Sequence, residues 1–213
     1  VYKRQMTNID DITKYENANQ EIKLLVYNGM LCNDTKISED GELKGDPTET
    51  ALVQFGLDHN FDVREVLKSE PRVAELPFDS DRKLMSTIHK EPDGSYFVAV
   101  KGAPDQLIKR VTRSEINGEV RPITDEDKQA ILAVNKDLAK QALRVLMMAY
   151  KTTSEIPTVV FSNAPKILNG FPSAAKASLP VWIIINTVTT IKTTIGKIKL
   201  RTLPFTPSMT SSL

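Results

Sequence analysis

The sequence predicts an α+β fold in which helices flank a mostly antiparallel twisted sheet. Three β-compatible runs follow one another in the middle of the chain, at residues 73–78, 83–90 and 96–101. The turn Pro92-Asp93-Gly94 joins the last two runs as a hairpin. Apolar residues at helical spacing lie on both sides of this region. Strands that follow one another, bounded by helices, are typical of α+β proteins.

Three helices are predicted before the strands. Residues 20–33 carry apolar side chains at helical spacing. A polar loop over 33–45 follows, and the string Asp46-Pro47-Thr48-Glu49 then opens a second helix. Its Asp suits the N-cap, its Pro the first turn, and its Glu the third position of a capping box. A short helix is predicted over 63–68.

The elements after the hairpin follow from turn and cap signals. Pro104 suits the first turn of a short helix through Ile108. Asn117-Gly118 predicts a second hairpin turn within 116–120. Thr124, with three acidic residues after it, predicts the start of a helix that runs to about Leu143. Residues 144–151 are predicted to form a final strand.

The composition excludes several classes of function. The chain has 213 residues and a net charge of +1, which gives no reason to expect a nucleic-acid partner. Its single cysteine, Cys32, excludes an internal disulfide and a cysteine-based zinc cluster, and suggests a reducing compartment. The two histidines, His59 and His89, lack ligand spacing, so we expect no metal site. Because the sequence begins at Val1, we expect it to be part of a longer protein.

Charge divides the chain near residue 156. All 27 acidic residues lie at or before Glu155, while the 58 residues after it carry six basic residues and no acid. The first part therefore has a net charge of −5 and the tail +6. The tail also contains an apolar run at 181–191, which is too short to cross a bilayer by itself. We expect two different kinds of sequence to meet here.

One nucleotide-binding class can be tested directly. Val98-Ala99-Val100-Lys101 is close to the string that carries the strand lysine of protein kinases. However, no glycine-rich loop precedes it, neither His is followed by Arg-Asp, and D-F-G is absent. The sequence also lacks the G-x-x-x-x-G-K-[ST] loop. The kinase interpretation is therefore rejected, and Lys101 is either another kind of nucleotide lysine or the solvated end of a strand.

Four separated strings agree on a different family. They are LCND at 31–34, GDPTETAL at 45–52, FDSDRKLMS at 78–86 and VKGAPDQLI at 100–108. Together with ALRVLMMAYK at 142–151, they resemble the nucleotide-binding domain of P-type cation-transporting ATPases, in the calcium-pump-like subfamily. The resemblance covers about residues 20–152. It implies a lead-in over 1–19, a nucleotide-binding domain over 20–155, and a tail over 156–213 that is foreign to the family fold.

The resemblance implies an adenine site. Lys101 would lie beside the base and the α-phosphate, and Gly102 would let the backbone approach the ligand closely. Phe78 would stack on adenine, unless it is a core phenylalanine. Glu49 would accept a hydrogen bond from the adenine amino group, a role that is compatible with the capping box predicted above. Thr48 is a lesser candidate for the same site.

The resemblance also implies two residues that contact the phosphates of the nucleotide. Lys83 matches a phosphate-side lysine, and Arg144 matches an arginine that reaches the β-phosphate with a fork suited to its oxygens. One departure is Ser80, where muscle-type calcium pumps carry an arginine. Met85 is expected to be pocket wall or core.

The family's catalytic strings are missing from this sequence. D-K-T-G-T, which carries the phosphorylated aspartate, does not occur, and neither do T-G-E and T-G-D-N. We therefore expect the chain to bind ATP or ADP without cleaving it, with Mg²⁺ needed only together with the phosphorylation domain. Its expected partners are the phosphorylation and actuator domains of a parent pump, at the cytoplasmic face of a membrane, with no membrane span here. The alternative is a stand-alone adenine-nucleotide sensor or an interaction module without pump activity.

Overall fold

The computed structural model describes residues 20–116, 119–156, 181–186 and 198–200. The predicted lead-in over 1–19, the Asn117-Gly118 turn and most of the tail lie outside these ranges. The helices are α1 Gln20–Leu31, α2 Pro47–Asp58, α3 Val63–Ser69, α4 Pro104–Leu107 and α5 Asp125–Ala139. The strands are β1 Lys36–Ile37, β2 Leu43–Lys44, β3 Arg72–Asp79, β4 Leu84–Lys90, β5 Tyr96–Gly102, β6 Arg113–Ile116, β7 Glu119–Pro122, β8 Arg144–Thr153, β9 Val181–Asn186 and β10 Ile198–Leu200.

A six-stranded antiparallel sheet organises the molecule, with strand order β10-β9-β8-β5-β4-β3. The short pairs β1–β2 and β6–β7 form two further hairpins. The predicted α+β class is confirmed. The polar loop expected over 33–45 contains the small β1–β2 hairpin, which sequence analysis did not predict.

Helices cover both faces of the central strands, and each face has its own core. On one face α1, α2 and α3 pack against alternate strand residues such as Met85, Phe97 and Met148. On the other face α4 and α5 pack against the intervening residues, among them Val98 and Met147. This alternation is the two-residue period of a strand that is buried on both sides. We call these surfaces the α1–α3 face and the α4–α5 face.

The helix predicted to reach Leu143 is shorter, and its end explains why. It stops at Ala139, and the N–H of Leu143 donates to the carbonyl of Leu138 at 3.1 Å. Ala142 donates to Ala139 at 3.0 Å and has a φ of 56°. These two bonds form a Schellman motif, which usually carries glycine at the left-handed position. An alanine there gave no sequence signal for the helix end.

The tail contributes two strands among the described residues. β9 pairs with β8 from Arg144 to Ala149, and β10 pairs with β9. β8 also extends two residues beyond the predicted strand, to Thr153. The prediction that the chain leaves the family fold after residue 155 stays a prediction. No described helix is long and apolar enough to cross a membrane.

Candidate functional site

The candidate site lies at the end of the sheet where β3 and β5 finish and where β4 and β8 begin. We call this the Lys101 end. The antiparallel register places Lys101 of β5 opposite Met85 of β4 and Met148 of β8. Met85 is 1% exposed and belongs to the core, which settles the choice between core and pocket wall. Lys101 is therefore surrounded by packed side chains on the α1–α3 face.

Lys101 is buried in an ion pair rather than solvated. Its Nζ lies 2.5 Å from Oε1 of Glu49, and the two side chains are 8% and 15% exposed. A single buried partner would be costly, because taking an isolated charge out of water carries a large desolvation penalty. The interpretation of Lys101 as an exposed strand end is therefore wrong.

Glu49 does not form the capping box that the sequence suggested. Asp46 does cap α2, since its carboxylate accepts the N–H of Thr48 at 2.8 Å. The carboxylate of Glu49 points elsewhere, with Oε2 accepting the N–H of Asp34 at 2.8 Å and Oε1 facing Lys101. Each oxygen of the carboxylate therefore has a partner other than the N–H of the N-cap. Thr48 is half-buried in the same first turn.

The LCND string forms the segment that holds Glu49 in place. The Sγ of Cys32 lies 3.5 Å from the carbonyl of Met85, and Thr87 donates to the carbonyl of Leu31 at 3.3 Å. These bonds attach the end of α1 to β4. Burial raises the pKa of the Cys32 thiol more than the nearby Lys101 lowers it, so the thiol stays protonated and can donate.

Arg72 ties the same segment to β3. Its guanidinium donates to Asp34 at 2.7 Å, to Glu75 at 2.6 Å and to the carbonyl of Asn33. Burial alone would lower the pKa of Arg72, but the bonds to Asp34 and Glu75 raise it overall. Sequence analysis did not single out Arg72 or Asn33. The LCND string was the available signal for Asn33, whereas an arginine at the start of a strand gave none.

Phe78 is exposed at the Lys101 end of β3. Its side chain is 59% exposed, which excludes the alternative of a core phenylalanine. The register of β3 against β4 shifts between Leu76 and Asp79, as in a β-bulge. Arg82 donates to the carbonyl of Pro77 at 2.8 Å, so the residue beside Phe78 is held by the following turn. The result is an aromatic ring on a fixed backbone.

Gly102 is required by the protein's own backbone. A Cβ at this position would lie 2.2 Å from the carbonyl oxygen of Lys83 and 2.6 Å from Cδ2 of Leu84. The N–H of Ala103 donates to the same Lys83 carbonyl at 3.0 Å, which locks the two strand ends together. Lys83 itself is exposed and has a φ of 56°. The close contact at Gly102 is thus with Lys83, and the approach of this backbone to a ligand stays a prediction.

Arg144 stands apart from the other predicted residues. It is exposed and is the first residue of β8, four positions before Met148, which pairs with Lys101. Alternation places it on the α1–α3 face, about 13 Å along the strand from the position opposite Lys101. Only an extended ligand could touch both residues. Of the predicted residues, Glu49 and Lys101 are in contact. Neighbouring strand ends carry Phe78, Lys83 and Gly102. Arg144 lies two strands away from Lys83.

Two clefts of the described region lie away from the Lys101 end. One of about 500 Å³ opens between α1, α3 and β5, where its lining includes Tyr27, Phe61 and Phe97. None of the predicted site residues lines it. Within the part of the chain that the structure describes, no group of His, Cys, Asp and Glu could hold a metal ion. The Lys101 end combines the buried Glu49–Lys101 ion pair with the exposed ring of Phe78.

Comparison with known proteins identifies the class to which this fold and site belong. The sequence profile of the family described as P-type ATPase, cytoplasmic domain N, matches residues 21–176. The chain belongs to this family. The resemblance drawn from the five strings is confirmed.

The chain is similar to several cation-transporting ATPases, two of which are named as calcium-transporting. Calcium-transporting ATPase 1 of Lactococcus lactis is 40% identical over 148 residues, which is 70% of this chain and 16% of that protein. Calcium-transporting ATPase 1 of Bacillus cereus is 42% identical over 136 residues, which is 63% of this chain and 15% of that protein. A sodium/potassium exporting P-type ATPase of Schizosaccharomyces pombe is 37% identical over 153 residues, which is 70% of this chain and 14% of that protein. The chain thus spans about one sixth of the length of the curated relatives it matches.

Proposed function

We propose that this chain holds ATP as part of a P-type cation pump and presents it to a phosphorylation domain encoded elsewhere in the parent. The observation that carries the proposal is the Glu49–Lys101 ion pair at the sheet end, with the exposed ring of Phe78 on a neighbouring strand end. The parent's activity would be ATP-driven cation transport, and two relatives named as calcium-transporting ATPases favour calcium as its ion.

The residues of the Lys101 end fit the base of ATP. Phe78 offers an aromatic face to solvent, and stacking of a base on such a face is typically worth about 1–3 kcal/mol. The Glu49 carboxylate can accept an N–H from the exocyclic amine of adenine. Lys101 supplies positive charge beside the base and the first phosphate. Thr48 lies in the same helix turn as Glu49, and Gly102 lets the backbone end of β5 close against Lys83 beside the site.

The phosphates would lie along the sheet end towards the exposed cations Lys83 and Arg144. Arg144 would hold the β-phosphate through its planar fork. Mg²⁺ would be bound together with the phosphorylation domain. The partners would be ATP or ADP and the phosphorylation and actuator domains of the parent, at the cytoplasmic face of its membrane.

Titration with ATP, ADP and AMP separates base contacts from phosphate contacts. Phe78→Leu keeps bulk but removes the aromatic face, so all three nucleotides should bind about 5- to 30-fold more weakly, a loss of about 1–2 kcal/mol. Val73→Ala is the matched control, because Val73 lies on the same strand and is 43% exposed. Unchanged binding by folded Phe78→Leu would mean that the adenine site lies elsewhere.

Arg144→Ala tests the phosphate side in the same calorimetric titration. It should weaken ATP and ADP but leave AMP nearly unchanged, because AMP lacks the β-phosphate. The effect should shrink as salt rises, since the contact is at an exposed residue. Arg113→Ala, at another exposed arginine, is the control. Equal weakening of AMP and ATP would show that Arg144 shapes the surface without contacting phosphate.

A further inference from the structure

Asn33 uses its whole side chain to join three parts of the chain around Glu49. Its Nδ2 donates to the carbonyl of Gly29 at 3.1 Å and to the carbonyl of Glu49 at 3.0 Å. Its Oδ1 accepts the N–H of Thr35 at 2.8 Å, and the residue is 5% exposed. A buried amide with all of these bonds made is rigid, because any rotation would leave buried polar atoms unpaired.

The next peptide of the same segment reaches the Glu49 carboxylate itself. The N–H of Asp34 donates to Oε2 at 2.8 Å, while Oε1 lies 2.5 Å from Nζ of Lys101. Asn33 therefore fixes the backbone of Glu49, and the peptide that follows fixes one carboxylate oxygen. With Oε2 held in this way, the orientation of the carboxylate plane is set by the 33–34 segment.

We propose that Asn33 is a positioning residue that sets the base preference of this site for a 6-aminopurine nucleotide. This inference rests on the proposed function, in which the Glu49 carboxylate accepts from the exocyclic amine. A 6-oxopurine presents an oxygen at the same place, and two acceptors repel each other. The discrimination depends on the direction of the carboxylate, and Asn33 maintains that direction through the Glu49 carbonyl and the Asp34 peptide.

A purely structural role for Asn33 makes a different prediction, and Asn28 is the matched control. Asn28 is fully buried on α1, and its Nδ2 donates to the carbonyl of Ala149 at 2.8 Å. In the described structure this side-chain hydrogen bond does not involve Glu49. Asn33→Ser and Asn28→Ser each remove a buried amide without changing charge, so both should lower stability. Only the first should change base selectivity.

The experiment compares the affinities of ATP and ITP by calorimetric titration. The wild-type chain should prefer ATP by roughly 10- to 100-fold, the range expected for one hydrogen bond to a charged acceptor. Asn33→Ser should lower the ATP/ITP ratio at least about fivefold, mainly through weaker ATP binding. Asn28→Ser should leave the ratio within about twofold. Glu49→Gln should also lower the ratio, and adding Asn33→Ser to it should cause no further loss, because both act through one carboxylate.

The results that would overturn the role of Asn33 differ from those that would overturn the proposed function. Equal weakening of ATP and ITP by Asn33→Ser, or the same ratio in both asparagine variants, would overturn the positioning role while leaving the proposed function intact. Failure of the wild-type chain to bind either nucleotide would overturn both. If Asn33→Ser does not fold, Arg72→Lys loosens the same segment by removing the fork that holds Asn33 and Asp34, and its ratio must fall. An unchanged ratio in Arg72→Lys would then overturn the proposal.

Discussion

Gly102 ends β5 beside the backbone of Lys83, and the missing side chain lets the two strand ends close. The nearest atom that a Cβ would meet is a carbonyl oxygen at 2.2 Å, which cannot move aside without breaking its bond from Ala103. Gly29 in α1 is different, because a Cβ there would meet the terminal methyl of Met148 at 3.3 Å. Methionine side chains are flexible and can adjust.

Gly102→Ala should therefore destabilise the protein by about 2–3 kcal/mol, as expected for forced overpacking against backbone. Gly29→Ala should remain within about 1 kcal/mol of wild type, because the gain in helix propensity offsets the tighter contact. Urea denaturation of the two variants measures both values. Equal stability of the two variants would show that the strand ends can separate at little cost.

The two ends of α5 show how far local signals specify an element. At its start Thr124 accepts the N–H of Asp127, and Asp127 accepts the N–H of Thr124, so the predicted cap is a complete capping box. Arg121 adds a bidentate ion pair to Asp127 at 2.7 and 3.0 Å. Burial would raise the pKa of Asp127, but the bonds from Arg121 and Thr124 lower it overall. At its end, the Schellman motif places Ala142 at a φ of 56°.

Ala142→Gly should stabilise the protein by about 1 kcal/mol, because glycine has no Cβ to oppose the left-handed conformation. Ala139→Gly, at the last residue of the helix proper, is the control and should destabilise by about 0.5–1 kcal/mol. The midpoints of thermal or urea unfolding show whether each variant is more or less stable than the wild type. Destabilisation by Ala142→Gly would mean that this terminus is not held in the left-handed conformation in solution.

At the scale of the whole molecule, the part of the chain before the tail has a large apolar core of its own. Among the residues whose burial is described, the three clusters of buried apolar side chains on the two faces extend from Ile22 to Ala149. The tail strand β9 adds backbone pairing to β8 from Arg144 to Ala149. Apolar burial is the dominant favourable term in folding, so stability should depend mainly on residues before the tail.

A chain shortened to end at Thr153 should unfold in one cooperative transition and bind ATP within about twofold of the full chain. The reason is that its cores and all seven predicted site residues remain, even though β8 becomes an edge strand. Circular dichroism during urea denaturation, with calorimetric titration, measures both properties. A broad transition or lost binding would make the pairing of β9 with β8 an integral part of the domain.

The sequence by itself determined most of the elements and the family. Apolar periodicity, turn residues and caps report contacts within one helix turn or one hairpin, so α1, α2, α3 and the β4–β5 hairpin were predicted close to their observed bounds. The five strings also indicated seven candidate site residues, whose roles stay a prediction. These signals are local, and they remain valid wherever the fold agrees with local preference.

Only the tertiary structure decided how the site residues are held. Glu49 meets Lys101 52 residues away, and Arg72 meets Asp34 38 residues away. Gly102 is required by the backbone of Lys83, which lies across the β4–β5 pair. Such contacts depend on the register of the sheet and on which helix covers which face, and neither leaves a local pattern. The capping-box prediction for Glu49 was wrong for this reason, since both of its carboxylate oxygens have partners that are distant in sequence.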